Sequence, residues 1–227
     1  LSHGDYQLLI DERDFMKIDC HVHARERSGC ATVDEQGQIR AAIAAGLDGL
    51  AFTDHNRLVP QERLAFLNEK FAPFHIFTGI EVDADSEHWV VLGVHDPALE
   101  QLGWRYIDLL EFVRSRGGFI ILAHPFRYVP QIRVDIEKYA PDGIEYRSIN
   151  TPKAREAEIL SLAARCGMLP FSNSDGHHPG GVGSYYNVLP QSSQTDQELI
   201  AILQGMKLKN SSQVLASNVS QPLTVLP

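Results

Sequence analysis

The sequence predicts one α/β domain folded as a barrel or a distorted relative of one. Three observations carry that expectation. Short apolar runs alternate with helical patterns, run after run ends in His, Asp or Glu, and 227 residues are enough for one such domain with a substantial core. Repeated βα units also build open doubly wound sheets. A barrel is preferred because it brings the ends of many strands to one mouth, whereas an open sheet spreads them along an edge.

The elements follow in order. Lys17–His21, Gly49–Asp54, His75–Glu81 and Phe119–His124 read as buried strands that close on polar residues. Between them Ile39, Ile43 and Leu47, then Leu64, Leu67 and Phe71, recur at helical spacing, with Gly46 and Pro60 as stop and start signals. Ile107, Leu110 and Val113 mark a helix before Gly117-Gly118, and Gly143–Tyr146 is a further strand. Thr151 and Pro152 open the next helix as cap and first-turn residue; Ile159, Leu160 and Ala163 supply its buried face and Gly167 its end. Met168–Asn173 is the last inward strand. Thr195-Asp196-Gln197-Glu198 has capping-box spacing ahead of a helix with Leu199, Ile202 and Leu203. The barrel is assigned residues 14–209, preceded by an extension over 1–13 and followed by a polar tail, 210–227, expected to fray.

Composition excludes several classes. No apolar stretch approaches the roughly 18 residues of a membrane span. No export signal is apparent, and three cysteines without C-x-x-C spacing point to a reducing compartment, so the cytoplasm is expected. A net charge of −9 disfavours an extended nucleic-acid footprint, which relies on clustered Lys and Arg. It leaves room for a small phosphorylated ligand, because bound cations can reverse the field of an acidic pocket. Oligomeric state leaves no trace in the sequence.

The chemistry lies at the strand ends. His21 and His23 are two apart on a strand, so both imidazoles point the same way and can reach one metal. Alone, an H-x-H triplet is weak. Asp54-His55, Glu81, His124 and Asp175-Gly176-His177-His178 repeat the placement, and six of ten histidines (His21, His23, His55, His124, His177, His178) fall there; His3, His75 and His95 do not. Neutral imidazoles with carboxylates suit zinc, manganese or iron(II) better than magnesium or calcium. A carboxylate such as Glu81 can bridge two cations, with a metal-bound hydroxide between them facing a phosphoryl group.

Taken together, Ile18-Asp19-Cys20-His21-Val22-His23, Thr53-Asp54-His55, Gly79-Ile80-Glu81-Val82, Ala123-His124-Pro125-Phe126-Arg127 and Ser174-Asp175-Gly176-His177 resemble, in order and spacing, the polymerase and histidinol phosphatase (PHP) superfamily. The resemblance covers roughly residues 14 to 207. It implies a distorted (β/α)7 TIM-like barrel and a phosphoesterase with two or three divalent metals (Mn, Zn or Fe). His21, His23, Glu81 and Asp175 resemble the ligands of a first metal, and Glu81 would bridge to a second held by His124 and completed by His88. His55 and His177 match ligands of a third metal, but Ser28-Gly29-Cys30 stands where a further His or Asp is expected; Glu26 or Cys30 could substitute. Otherwise His55 and His177 act as acid–base residues beside Asp54, which could instead cap a loop. Arg25, Arg27 and above all Arg127 are candidates for substrate phosphate. Glu145 and Asn150 resemble a segment that supports the site without ligating metal.

The expected function is hydrolysis of a small phosphate ester by metal-bound hydroxide, in a phosphomonoesterase of histidinol-phosphatase type or a nucleotide phosphoesterase. The alternatives are an oligonucleotide phosphodiesterase or exonuclease and a non-catalytic metal-binding barrel. An amidohydrolase-like enzyme fits less well, for want of the lysine or further histidine ligands such sites use.

Overall fold

The computed structural model describes residues 15–219, with side chains to residue 210. The extension expected over 1–13 lies outside that range. Eight strands form one sheet: β1 (Met16–Val22), β2 (Gly49–Phe52), β3 (His75–Ala84), β4 (Glu87–Leu92), β5 (Phe119–Leu122), β6 (Gly143–Arg147), β7 (Leu169–Ser172) and β8 (Asn187–Leu189). Their order in space is β7-β6-β5-β4-β3-β2-β1-β8. The helices are α1 (Glu35–Ala44), α2 (Gln61–Phe71), α3 (Tyr106–Ser115), α4 (Glu156–Cys166) and α5 (Asp196–Val219). Seven strands follow chain order around the barrel, as expected, and β8 adds an antiparallel partner to the first half of β1.

The barrel nearly closes where the chain beyond β7 returns to the end of β1. His23 N–H donates to Gly176 O at 3.0 Å and Gly176 N–H to His21 O at 3.2 Å, so the H-x-H and D-G-H motifs are joined through their own backbones. Below them Ser174 N–H donates to Asp19 Oδ1 at 3.1 Å and Cys20 N–H to Asn173 Oδ1 at 3.2 Å.

The regular βα alternation breaks at β3 and β4, which form a hairpin with Asp83 opposite His88. Asp85 and Ser86 make its turn, both at positive φ (51° and 63°), as a two-residue turn between twisted strands requires. His88 therefore lies within β4.

Apolar burial holds the helices to the sheet. Ile18, Cys20, Phe77, Val90, Ile121 and Phe171 share a core with Leu199, Ile200, Ile202 and Leu203 of α5. Thr195 caps α5 as its spacing predicts: Glu198 N–H donates to Thr195 Oγ1 at 3.2 Å and Thr195 N–H to Glu198 Oε2 at 3.3 Å. The helix runs to Val219, past the 209/210 boundary that composition places, and the rest of the tail lies outside the described residues.

Two expectations are corrected. Thr151 does not cap the following helix: its hydroxyl is paired with Ser148 Oγ at 2.8 Å, and a 3₁₀ turn over Lys153–Arg155 precedes α4. Ile43 and Leu160 are exposed, because α1 and α4 present Ile39 with Ala42, and Ile159 with Leu162 and Ala163, to the core instead. Gly167 ends α4 at φ 65°, as expected.

Candidate metal centre

His21 and His23 lie at the end of β1 and are fully buried. Both present Nε2 to two carboxylates. His21 Nε2 is 3.4 Å from Glu81 Oε2 and 3.5 Å from Asp175 Oδ1; His23 Nε2 is 3.3 Å and 3.2 Å from the same atoms. All four atoms are buried without a hydrogen-bond partner of acceptable geometry. A native interior rarely leaves such groups unmatched, and here they converge on one point. The spacing itself fits a cation: tetrahedral bonds of about 2.0–2.2 Å put neighbouring ligand atoms about 3.4 Å apart.

The other Glu81 oxygen faces a second group. Oε1 is 2.9 Å from His88 Nδ1 and 3.0 Å from His124 Nε2. The hairpin explains the His88 contact, since Asp83 opposite His88 puts the imidazole diagonally across from Glu81 on one sheet face. His124 N–H donates to Glu145 Oε2 at 2.8 Å. His124 (φ 27°) and Asp175 (φ 52°) both hold the left-handed backbone that non-glycine residues avoid, a strain that clusters at functional sites.

His55 follows β2 and bridges in parallel to Glu81, with Nδ1 2.9 Å from Glu81 Oε2. His177 Nδ1 lies 2.9 Å from Asp175 O, and its ring stacks on His23 at 4.3 Å between centroids. The two are 31% and 20% exposed, unlike the buried imidazoles, so they line the open side of the cluster. Atoms of His23, His55 and His177 come within range of one ion, but the His23 Nε2 already faces the first site. The expected substitutes for the missing third-site residue do not join them: Glu26 accepts the Glu35 N–H at the start of α1, and Cys30 belongs to none of the potential ligand groups among the described residues.

The charge balance is set by burial against crowding. Burial alone would lower the His21 pKa, yet Glu145, Asp175 and Glu81 outweigh it and raise it well above the ordinary value. For His23 burial wins, and its pKa falls to about 4. Glu81 and Asp175 are held below the usual carboxylate range despite burial, chiefly by the His21 charge. The site thus demands positive charge, which a proton on His21 or a cation can supply.

Four further candidates are placed as follows. Asp54, expected as a possible proton-transfer group, takes its capping alternative: Oδ1 accepts Ala24 N–H and Ser28 Oγ–H, both at 2.7 Å. Arg27 is not free to meet a phosphate, because its Nε donates to Asp54 Oδ2 at 2.7 Å and its Nη1 to Glu35. Arg25 is exposed. Arg127 stands at the cluster, its Nη1 3.4 Å from Asp175 Oδ2.

Glu145 and Asn150 support the cluster as the sequence suggested: Glu145 Oε1 accepts His21 Nδ1–H at 2.8 Å, and Asn150 Nδ2 donates to Asp175 Oδ2 at 2.6 Å. Sequence reasoning missed Asp83, whose Oδ1 is 3.4 Å from His88 Nε2, and the contacts of Ser28. Asp83 could have been found from the two-residue period, which sets it on the face of Glu81.

Fold and site together define a barrel whose mouth gathers imidazoles and carboxylates in closely spaced groups that could hold a cation. Residues 156–205 match the model of the PHP-associated family, PHP_C. Among solved structures, the chain is similar to an amidohydrolase from Chromobacterium violaceum solved with sulfate and no metal (TM-score 0.62, 19% identity, 82% of this chain and 95% of that one). It is also similar to a Bacteroides vulgatus two-domain protein containing a predicted PHP-like metal-dependent phosphoesterase (TM-score 0.62, 18% identity, 85% of this chain but 63% of that longer one). A third, assigned as a metal-dependent phosphoesterase from Bifidobacterium adolescentis, gives TM-score 0.64 and 16% identity over 82% of this chain and 95% of that one. No curated protein matches the sequence. These likenesses show the barrel fold that the strand and helix pattern predicts.

Proposed function

We propose that this chain is a metal-dependent hydrolase of small phosphate esters. The observation that carries the reading is the convergence of four buried, unpartnered donor atoms, His21 Nε2, His23 Nε2, Glu81 Oε2 and Asp175 Oδ1, beside a second group sharing Glu81. In this reading His21, His23, Glu81 and Asp175 hold one divalent ion, and Glu81, His88 and His124 a second; manganese, zinc and iron all suit the donors. Bound there, such ions lower the pKa of water and draw negative charge from a phosphoryl group.

The chain's own residues do the rest. Arg127 offers a guanidinium at the rim to a non-bridging oxygen and already pairs with Asp175, so it is oriented before substrate arrives. His55 and His177 are partly exposed beside Glu81 and Asp175, where an imidazole can pass a proton to a leaving oxygen. Hydrolysis of a carbon–nitrogen bond is the weaker alternative, because each of the two fully buried ligand groups is completed by a carboxylate, Glu81 with His21 and His124, and Asp175 with His21 and His23. A small substrate and a cytoplasmic setting belong to the same reading.

The test is inorganic phosphate release from a panel of phosphomonoesters, nucleotides and short oligonucleotides by manganese-loaded protein, with His124→Ala alongside. Release that His124→Ala lowers at least a hundredfold is expected. Silence across the panel, or release indifferent to that change, overturns the proposal.

A further inference from the structure

The two imidazoles at the end of β1 are supported differently. His21 Nδ1 meets a carboxylate directly, Glu145 Oε1 at 2.8 Å. His23 Nδ1 meets the hydroxyl of Ser28 at 3.3 Å. That hydroxyl is 1% exposed and has three neighbours: His23 Nδ1, Asp54 Oδ1 at 2.7 Å, and the backbone N–H of His55 at 3.2 Å.

Counting donors decides the direction of each bond. A serine hydroxyl has one proton and two lone pairs. Asp54 accepts Arg27 Nε at 2.7 Å on its other oxygen and Ala24 N–H at 2.7 Å on the oxygen that Ser28 meets, and the guanidinium's charge keeps it a carboxylate that only accepts. The Ser28 proton therefore points to Asp54. The His55 N–H can only donate and takes one lone pair. The other is left for His23, whose Nδ1 must then carry a proton and whose Nε2 must present its lone pair to the point where Glu81 and Asp175 converge.

We propose that Ser28 is a positioning residue: through a relay from Asp54 to Ser28 to His23 it fixes the tautomer and direction of one metal-facing imidazole. The inference rests on the metal centre proposed above and adds to it the means by which His23 is aimed. It also gives Arg27 a task away from the substrate. The guanidinium ties Asp54 to Glu35, which Arg63 Nε also contacts at 2.6 Å, and so braces the far end of the relay. The same hydroxyl holds the His55 backbone, so one atom registers the ends of β1 and β2 against each other.

The experiment has two readouts. In metal-free wild-type protein, long-range nitrogen–proton correlation spectra of the histidine side chains are expected to show His23 protonated at Nδ1; protonation at Nε2 overturns the proposal without any variant or metal. Zinc affinity is then measured by chelator competition. Ser28→Ala is expected to weaken binding about 10- to 100-fold, as loss of a group that orients a ligand does, and Ser28→Thr, which keeps the hydroxyl, to stay closer to wild type than Ser28→Ala. Wild-type affinity in Ser28→Ala overturns the proposal. Failure of the wild-type chain to bind zinc at all would instead remove the metal centre, while the tautomer reading still stands or falls by itself.

Discussion

Glu145 serves both halves of the cluster from one buried position. Its Oε1 accepts from His21 Nδ1 and from Asn173 Nδ2 at 2.7 Å, and its Oε2 accepts the His124 N–H. In Glu145→Gln the amide nitrogen must face one of these donors whichever way it turns. A loss of about 2–3 kcal/mol in urea unfolding is expected, together with weaker metal binding; an unchanged midpoint would contradict the role. His21 also fixes a pH dependence. Its raised pKa means that protons hold Nε2 up to a pH above the ordinary 6.5, and proton and cation compete for one lone pair. Metal affinity should therefore rise with pH through and beyond that value, with protons released on binding. Calorimetry in buffers of different ionisation enthalpy checks this, and identical heats after dilution correction would refute it.

At the scale of elements, the closure between β1 and the chain after β7 sets the geometry. A Cβ at Gly176 would come within 2.7 Å of Val182 Cγ2 and 2.8 Å of Ser174 Oγ, between Asp175 and His177. Gly176→Ala is expected to cost about 1–3 kcal/mol by overpacking and to weaken metal binding with it. Gly29→Ala, in the loop across the mouth, meets nothing within 4 Å and should leave both unchanged. Thermal unfolding and chelator competition on the two variants test the contrast, and equal effects would deny the closure its part. What the sequence made legible divides along the same line. His21, His23, His124 and Asp175, at or just past strand ends, were readable because a two-residue period and a repeated location are local properties; Glu81 was readable as a site residue, although β3 does not end there as expected but runs on to Ala84. So was the Thr195 cap. The Asp85-Ser86 turn was not, lacking the glycine that usually betrays one. Nor could the sequence settle whether Asp54 and Arg27 faced substrate or each other, since that depends on which of several partners the folded barrel brings near.

For the molecule as a whole, the mouth is a place where folding has concentrated unmet charge. Glu81 and Asp175 are almost wholly buried within 3.5 Å of two buried imidazoles, one of which holds its proton weakly. Burying anions without full compensation costs stability, so the metal-free chain should be the less stable form. A ligand bound only by the folded state adds RT ln(1 + [L]/Kd), about 4 kcal/mol when it is present at 1,000 times its dissociation constant. At about 2–4 °C per kcal/mol for a chain of this size, manganese or zinc should raise Tm by about 8–16 °C over protein kept in chelator. His124→Ala, which leaves the four-atom group at His21, His23, Glu81 and Asp175 intact, should retain part of that rise, whereas Asp175→Ala should retain less. Scanning fluorimetry with and without metal measures all three. The same Tm in chelator and in metal would mean that the convergent donors do not hold an ion, and the proposed hydrolase would lose its physical basis.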